Sequence, residues 1–207
     1  TPHSAHAPAG NIDNPMCRFF KQKTAYEIGT GDWSSDVCSF DLPEGEEISL
    51  LVIHNISLPA GQFGTGDVDA LFCGTLDCCK HPSYQDLEGL RVSSHFFIDR
   101  SGRLFQYVSC LDRAWHAGVS SYEGRENCND FSIGVELEGT DSAPYEQAQY
   151  ETLGRLTDAL AEAYPIKYVT GHSMIAPLRK TDPGPAFDWL TYESLCKTGK
   201  PLCFPYV

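Results

Sequence analysis

Residues 47–57 constrain the fold more than any other stretch of the chain. In an extended conformation Leu50, Val52, His54 and Ile56 share one face, and Leu51, Ile53 and Asn55 share the other. Side chains alternate across a strand, so two mainly apolar faces both need cover, and the run predicts an interior strand of a sheet. Pro59-Ala60-Gly61 ends it. Residues 132–138 predict another strand, with Ile133, Val135 and Leu137 alternating against Gly134, Glu136 and Glu138. Residues 92–98 and 103–108 read as a hairpin around Asp99-Arg100-Ser101-Gly102, and 167–170 as a short strand running into Gly171-His172. The clearest helix is 145–164, where Gln149, Leu153, Leu156, Leu160 and Ala163 recur at helical spacing between Pro144 and Pro165. Shorter helices are expected over 67–74 and 187–196. Strands mixed with helices, without internal repeats or a long linker, give a single α/β domain with one sheet.

Composition narrows the function classes. A formal net charge of -13 leaves no basic stripe for phosphate contacts, which excludes a nucleic-acid partner. No apolar run approaches the roughly 20 residues of a membrane helix, so no membrane partner is expected. Thr1-Pro2-His3-Ser4-Ala5-His6 offers neither a basic nor an apolar leader region, and the expected location is cytoplasmic. The 9 cysteines are an odd number scattered along the chain. Cys73, Cys78 and Cys79 stand near His81, but their spacing fits no common structural zinc pattern. Reduced, mostly buried thiols are the expectation.

Residues 20–42 show neither strand nor helix period. Lys21 to Ile28 and Asp32 to Leu42 closely resemble the in-frame translation of an indexed oligonucleotide adapter, with Phe40 in place of a Ser. Gly29, Thr30 and Gly31 fall across the variable index. The segment reads as an assembly artefact foreign to the protein, the alternative being a genuine surface insertion. Asp32, Trp33, Asp36 and Cys38 are therefore taken as functionally mute. Residues 1–19, upstream of that junction, are an N-terminal segment of uncertain register, which leaves 43–207 as the domain whose residues carry the function.

Three polar groups stand where predicted strands meet loops: His54, His172 and Asp182. Two imidazoles and a carboxylate form a ligand set for catalytic zinc that keeps a fourth position open for water. Each group alone has an ordinary explanation. A lone His on a strand is commonly a hydrogen-bonded core residue, and an Asp before Pro is commonly a turn residue. Spacing leaves both readings open, as it does a solvated Lys180 and a strand-face Glu136.

Longer strings go further. Leu51-Val52-Ile53-His54-Asn55-Ile56-Ser57, Ala114-Trp115-His116-Ala117-Gly118, Asn129-Asp130-Phe131-Ser132-Ile133-Gly134-Val135-Glu136-Leu137-Glu138-Gly139-Thr140, and Thr170-Gly171-His172 followed by Lys180-Thr181-Asp182-Pro183-Gly184-Pro185 occur in this order. Together they closely resemble the AmpD-type branch of the type 2 N-acetylmuramoyl-L-alanine amidases, over about residues 46–190. The resemblance implies the fold shared with phage amidases and peptidoglycan-recognition proteins, a central mixed β-sheet flanked by helices. It implies hydrolysis of the amide between 1,6-anhydro-N-acetylmuramic acid and L-alanine in peptidoglycan recycling, with muropeptide fragments as substrate. One Zn2+ per chain would be held by His54, His172 and Asp182. Glu136 would be the acid/base and Lys180 the cation beside the reacting carbonyl. Asn55, Arg91, Trp115 and His116 match positions that line the substrate groove, although core packing is an equally good account of Trp115. His95 matches a structural position. The expected working state is a monomer.

Two other functions fit a similar sequence. A non-catalytic peptidoglycan-binding module would lack a metal ligand, whereas all three candidates are present here. A broad-specificity periplasmic or phage-type amidase would share the chemistry and differ in acting on intact wall. Because residues 20–42 offer no patterned apolar face, their deletion is expected to leave folding and turnover intact. Far-ultraviolet circular dichroism and an amidase assay check this; loss of folding would contradict the artefact reading.

Overall fold

The computed structural model describes residues 39–205. The 1–19 segment and residues 20–38 of the adapter-like stretch lie outside the described residues. The elements are β1 (Ser39–Asp41), β2 (Leu50–Ile56), α1 (Asp67–Phe72), β3 (Phe96–Ile98), β4 (Leu104–Gln106), β5 (Asp112–Ala114), β6 (Ser121–Tyr122), β7 (Arg125–Glu126), β8 (Ser132–Glu138), α2 (Gln147–Ala163), β9 (Tyr168–Gly171), α3 (His172–Ile175) and α4 (Trp189–Leu195). A 5-stranded sheet runs β4-β3-β8-β2-β9. β3, β8, β2 and β9 are mutually parallel, while β4 returns antiparallel, so the sheet is mixed as expected.

β2 sits between β8 and β9, as its two apolar faces require. On one face Leu51, Ile53, Ile133, Val135 and Leu137 bury against Leu153, Leu156 and Leu160 of α2 and against Trp189 and Tyr192 of α4. On the other, Leu50 and Val52 pack with Ala117, Phe131 and Ile175. That second cover is built from loops and short turns, and it leaves room for polar side chains at the strand ends.

The α2 helix starts later than expected. Glu146 and Gln149 form a reciprocal capping box, which places Pro144 outside the helix. Gln149, fully buried, also donates to the carbonyls of Ile98 and Glu138, fastening the helix start to the ends of β3 and β8. The apolar stripe ends on Ala161, and Ala163 is exposed. Gly154 lets α4 approach closely, since a Cβ there would stand 3.0 Å from the Leu195 carbonyl oxygen.

β3 begins at Phe96, later than the predicted 92, because side chains replace the backbone ladder before it. The Gly134 amide donates to His95 Nδ1 at 3.0 Å, and Ser94 Oγ donates to the Gly134 carbonyl at 2.9 Å. His95 Nε2 in turn donates to the Asp112 carbonyl, so the structural reading of this residue agrees with its contacts.

Three features were not anticipated. Ser39–Asp41, at the end of the adapter-like stretch, pair antiparallel with β5. A small hairpin joins β6 to β7. A single helical turn, α3, follows β9 directly. The thiol expectation needs correction: Cys73 is disulfide-bonded, and of the free cysteines Cys110 and Cys128 are buried while Cys79 and Cys203 are exposed. Among the described residues no helix is long and apolar enough to cross a membrane.

Leu153, with no exposed surface, lies at the centre of the α2–sheet contact. Leu153→Ala is expected to cost about 2–5 kcal/mol, the usual range for a buried leucine truncation. Urea denaturation should show a lower midpoint with an unchanged slope. A loss below about 1 kcal/mol would mean that this face can collapse around the cavity.

Candidate metal centre

Parallel pairing brings the chemistry to one end of the sheet. His54 lies opposite Glu136 in the β2–β8 register, and Ile53 lies opposite Gly171 in the β2–β9 register. His172, one residue beyond β9, therefore stands beside His54. The carboxyl ends of parallel strands are the usual place for a site in an open α/β sheet, because loops diverge there. Asp182 arrives on the segment after α3, which folds back so that the Ser173 amide donates to the Asp182 carbonyl at 2.9 Å.

His54 Nδ1 is 3.0 Å from His172 Nδ1 and 3.1 Å from Asp182 Oδ2, and His172 Nδ1 is 3.0 Å from the same oxygen. His172 Nε2 lies 3.1 Å from the Ala117 carbonyl, which can only accept, so that nitrogen carries the proton. In the neutral ring Nδ1 is then a bare lone pair facing a carboxylate. Burial lowers the His54 pKa to about 4, ahead of the opposing pull of the Asp182 carboxylate, so this ring is neutral near pH 7. Unpaired acceptors brought together away from water are costly unless a cation sits among them. Tetrahedral ligands at zinc distances stand about 3.3 Å apart, close to the spacing found here. The three residues thus form a group that could hold a metal ion.

Glu136 is buried beside this group, and its Oε2 has no hydrogen-bond partner. Burial pushes its pKa well above the usual carboxylate range, the negative charge of Asp182 adds to this, and Lys180 opposes it. Lys180 is exposed and lines a cleft of about 500 Å³ with Asn55, Thr140, Asp141, Arg179 and Asp182.

The residues expected in the substrate groove divide. Asn55 lines the cleft, and its amide nitrogen donates to Asp141 Oδ1 at 2.9 Å and to the Pro183 carbonyl at 3.1 Å. It thereby ties together the two loops that form the walls. Arg91, Trp115 and His116 are not among the cleft-lining residues. Arg91 is exposed on the loop before β3. Trp115 is half-buried, with the Arg113 guanidinium 4.6 Å above its ring and Phe40 edge-on at 6.0 Å. His116 reaches inward to His54.

Sequence reasoning assigned no role to several supporting groups. The Ala117 carbonyl holds His172, and Arg179 donates to the same oxygen at 2.8 Å. Asn129 Oδ1 accepts from the amides of both His116 and Ala117. Asn129 and Ser132 fall inside a motif that carried the resemblance, but a backbone acceptor such as Ala117 leaves no mark in residue types.

Comparison with known proteins places the chain in a family. The model of the family described as N-acetylmuramoyl-L-alanine amidase matches residues 44–185. The 1,6-anhydro-N-acetylmuramyl-L-alanine amidase AmpD of Citrobacter freundii is 57% identical over 155 residues, 74% of this chain and 83% of that protein. A crystal structure of a selenomethionine AmpD derivative superposes with a TM-score of 0.75 at 51% identity, covering 80% of this chain and 97% of that one. The N-acetylmuramyl-L-alanine amidase AmiD of Escherichia coli, in complex with the substrate anhydro-N-acetylmuramic acid-L-Ala-D-gamma-Glu-L-Lys, gives a TM-score of 0.55 at 32% identity over 74% of this chain and 60% of that one. On its sequence and its fold, this chain belongs to the N-acetylmuramoyl-L-alanine amidase family.

Proposed function

We propose that the protein is a zinc-dependent hydrolase of the lactyl amide between 1,6-anhydro-N-acetylmuramic acid and L-alanine in muropeptides released during wall recycling. The observation that carries the metal part is the convergence of His54 Nδ1, His172 Nδ1 and Asp182 Oδ2 on one point at the sheet's end. The substrate part is supported by the relatives named for that reaction and by the AmiD complex with an anhydro-muropeptide. The reading takes the protein as a cytoplasmic, monomeric enzyme, and a cleft of about 500 Å³ beside Asp182 gives a small muropeptide fragment room.

Zinc bound by the three residues supplies Lewis acidity, which makes water nucleophilic near neutral pH and polarises a carbonyl. The chain supplies the remainder. An amide is a poor electrophile with a poor leaving group, so a proton must leave the attacking water and another must reach the departing alanine nitrogen. Glu136 faces the site from the strand beside His54. Its raised affinity for a proton suits it to take one from water and pass it to nitrogen. Lys180 lies two residues from Asp182, within the roughly 7 Å span of an extended dipeptide. Its ammonium then stabilises the oxyanion that develops on the former carbonyl. Asn55 keeps the cleft walls in place. Arg91 and Trp115 are assigned to the sugar or peptide portions on resemblance alone.

His172→Ala removes one of three ligands, and elemental analysis of the purified variant should show a sharp fall in zinc. Full occupancy would refute the assignment. Asp182→Asn should lower occupancy less, since the amide oxygen still coordinates without charge. Zinc-loaded Glu136→Ala should lose about 10²- to 10⁴-fold in kcat. Lys180→Ala should lose about 10²- to 10³-fold. In both, substrate affinity should change little. Near-normal kcat in Glu136→Ala would refute its acid/base role; Glu138, the sequence's second candidate, has both carboxylate oxygens held by the Gly64 and Arg100 amides.

A further inference from the structure

We propose that His116 is a positioning residue for the metal centre: it fixes the tautomer of His54 so that Nδ1 always presents its lone pair to the metal. The inference rests on the zinc reading above and assigns His116 a task other than contact with substrate.

The argument follows hydrogens outward from a carbonyl. Ser132 Oγ lies within hydrogen-bond distance of the Cys128 carbonyl and 3.3 Å from His116 Nε2. The carbonyl can only accept, so the single hydroxyl proton of Ser132 points there; otherwise two acceptors would face each other unbridged. Ser132 Oγ must then accept from His116, which puts the His116 proton on Nε2. His116 Nδ1 is left as an acceptor, 2.9 Å from His54 Nε2. His54 therefore carries its proton on Nε2, and its Nδ1 is bare. That bare nitrogen is the one that meets His172 and Asp182. Cys128, Ser132, His116 and His54 thus form a chain with one consistent direction, ending at the metal position.

The chain is held rigidly. Amides of His116 and Ala117 both donate to Asn129 Oδ1, at 3.1 and 2.8 Å. The imidazole lies directly on β8 at Gly134, where a Cβ would stand only 2.5 Å from His116 Cγ. Edge-to-face packing against His54, with centroids 5.0 Å apart, fixes the angle between the rings. His172 is served by the same segment, because its Nε2 donates to the carbonyl of Ala117. One short stretch, 116–117, accordingly sets the tautomers of both imidazoles. A metal-binding imidazole commonly donates its second nitrogen to a carboxylate, carbonyl or water. Here His54 uses another imidazole, whose Nδ1 is favoured as the acceptor because its Nε2 donates to Ser132.

The test compares His116→Leu, which cannot accept a hydrogen bond, with His116→Gln, whose amide oxygen can, and with Ser132→Ala, which keeps the ring but frees its tautomer. Zinc dissociation constants are measured by chelator competition, and the His54 tautomer is read from ring-nitrogen NMR shifts in the zinc-free proteins. His116→Leu is expected to weaken zinc binding about 10- to 100-fold, the usual consequence of losing such a partner. His116→Gln should recover most of it, and Ser132→Ala should show mixed tautomers at His54 with a smaller loss. Unchanged zinc affinity in His116→Leu, with only KM raised, would overturn the proposal in favour of substrate contact. Equal losses in His116→Leu and His116→Gln would also overturn it. Wild-type protein that binds no zinc, or His54→Ala that binds it normally, would instead refute the metal reading itself.

Discussion

Three acceptor atoms held 3.0–3.1 Å apart at the end of a buried sheet are the constraint around which this structure is arranged. Such an arrangement opposes folding unless a cation occupies it or other groups hold the rings in place. Each ring is restrained from behind, His54 by His116 and His172 by the Ala117 carbonyl. Asp182 is brought in by a loop whose backbone returns to the start of α3. The polar network is directional, and its directions agree with a single placement of protons.

The two sides of the sheet divide the work. Stability comes from the side where α2 and α4 close over Leu51, Ile53, Ile133, Val135 and Leu137. The opposite side is covered by loops, turns and short strands, and it is from these that Ala117, Asn129, Lys180 and Asp182 are drawn. A rigid parallel register fixes His54 against Glu136 to within one residue, since a slip would turn one of them to the helix side. The loops then adjust the remaining ligands and shape the cleft. An amidase needs both: fixed geometry at the reacting bond, and an open approach for a sugar-peptide substrate.

Much of this was legible in the residues. The alternation in Ser132–Glu138 gave that strand its observed bounds, and the doubly apolar run at Leu50–Ile56 placed β2 in the interior. The helix at Gln147–Ala163 was evident from spacing, but its start depended on a capping box rather than on Pro144. Two-residue strands such as β6 and β7 carry no period to detect, and Ser39–Asp41 gave no sign of pairing with β5. The candidate ligands stood out as polar groups at predicted strand ends, but only motif resemblance joined them into one site, because 118 residues separate His54 from His172 and nothing in spacing connects them. His116 illustrates the remaining gap. Its motif marked it as belonging to the site, yet whether it faces the cleft or the metal depends on Ser132 and Gly134, residues ordinary for a strand.

The most direct measurement is mass spectrometry of the products formed from a 1,6-anhydro-muropeptide by zinc-loaded and chelator-stripped protein. The account predicts release of the anhydro-sugar and a peptide beginning with L-alanine, by the loaded protein alone, with turnover restored when zinc is returned. Cleavage at any other bond, or equal cleavage after the metal has been removed, would contradict it.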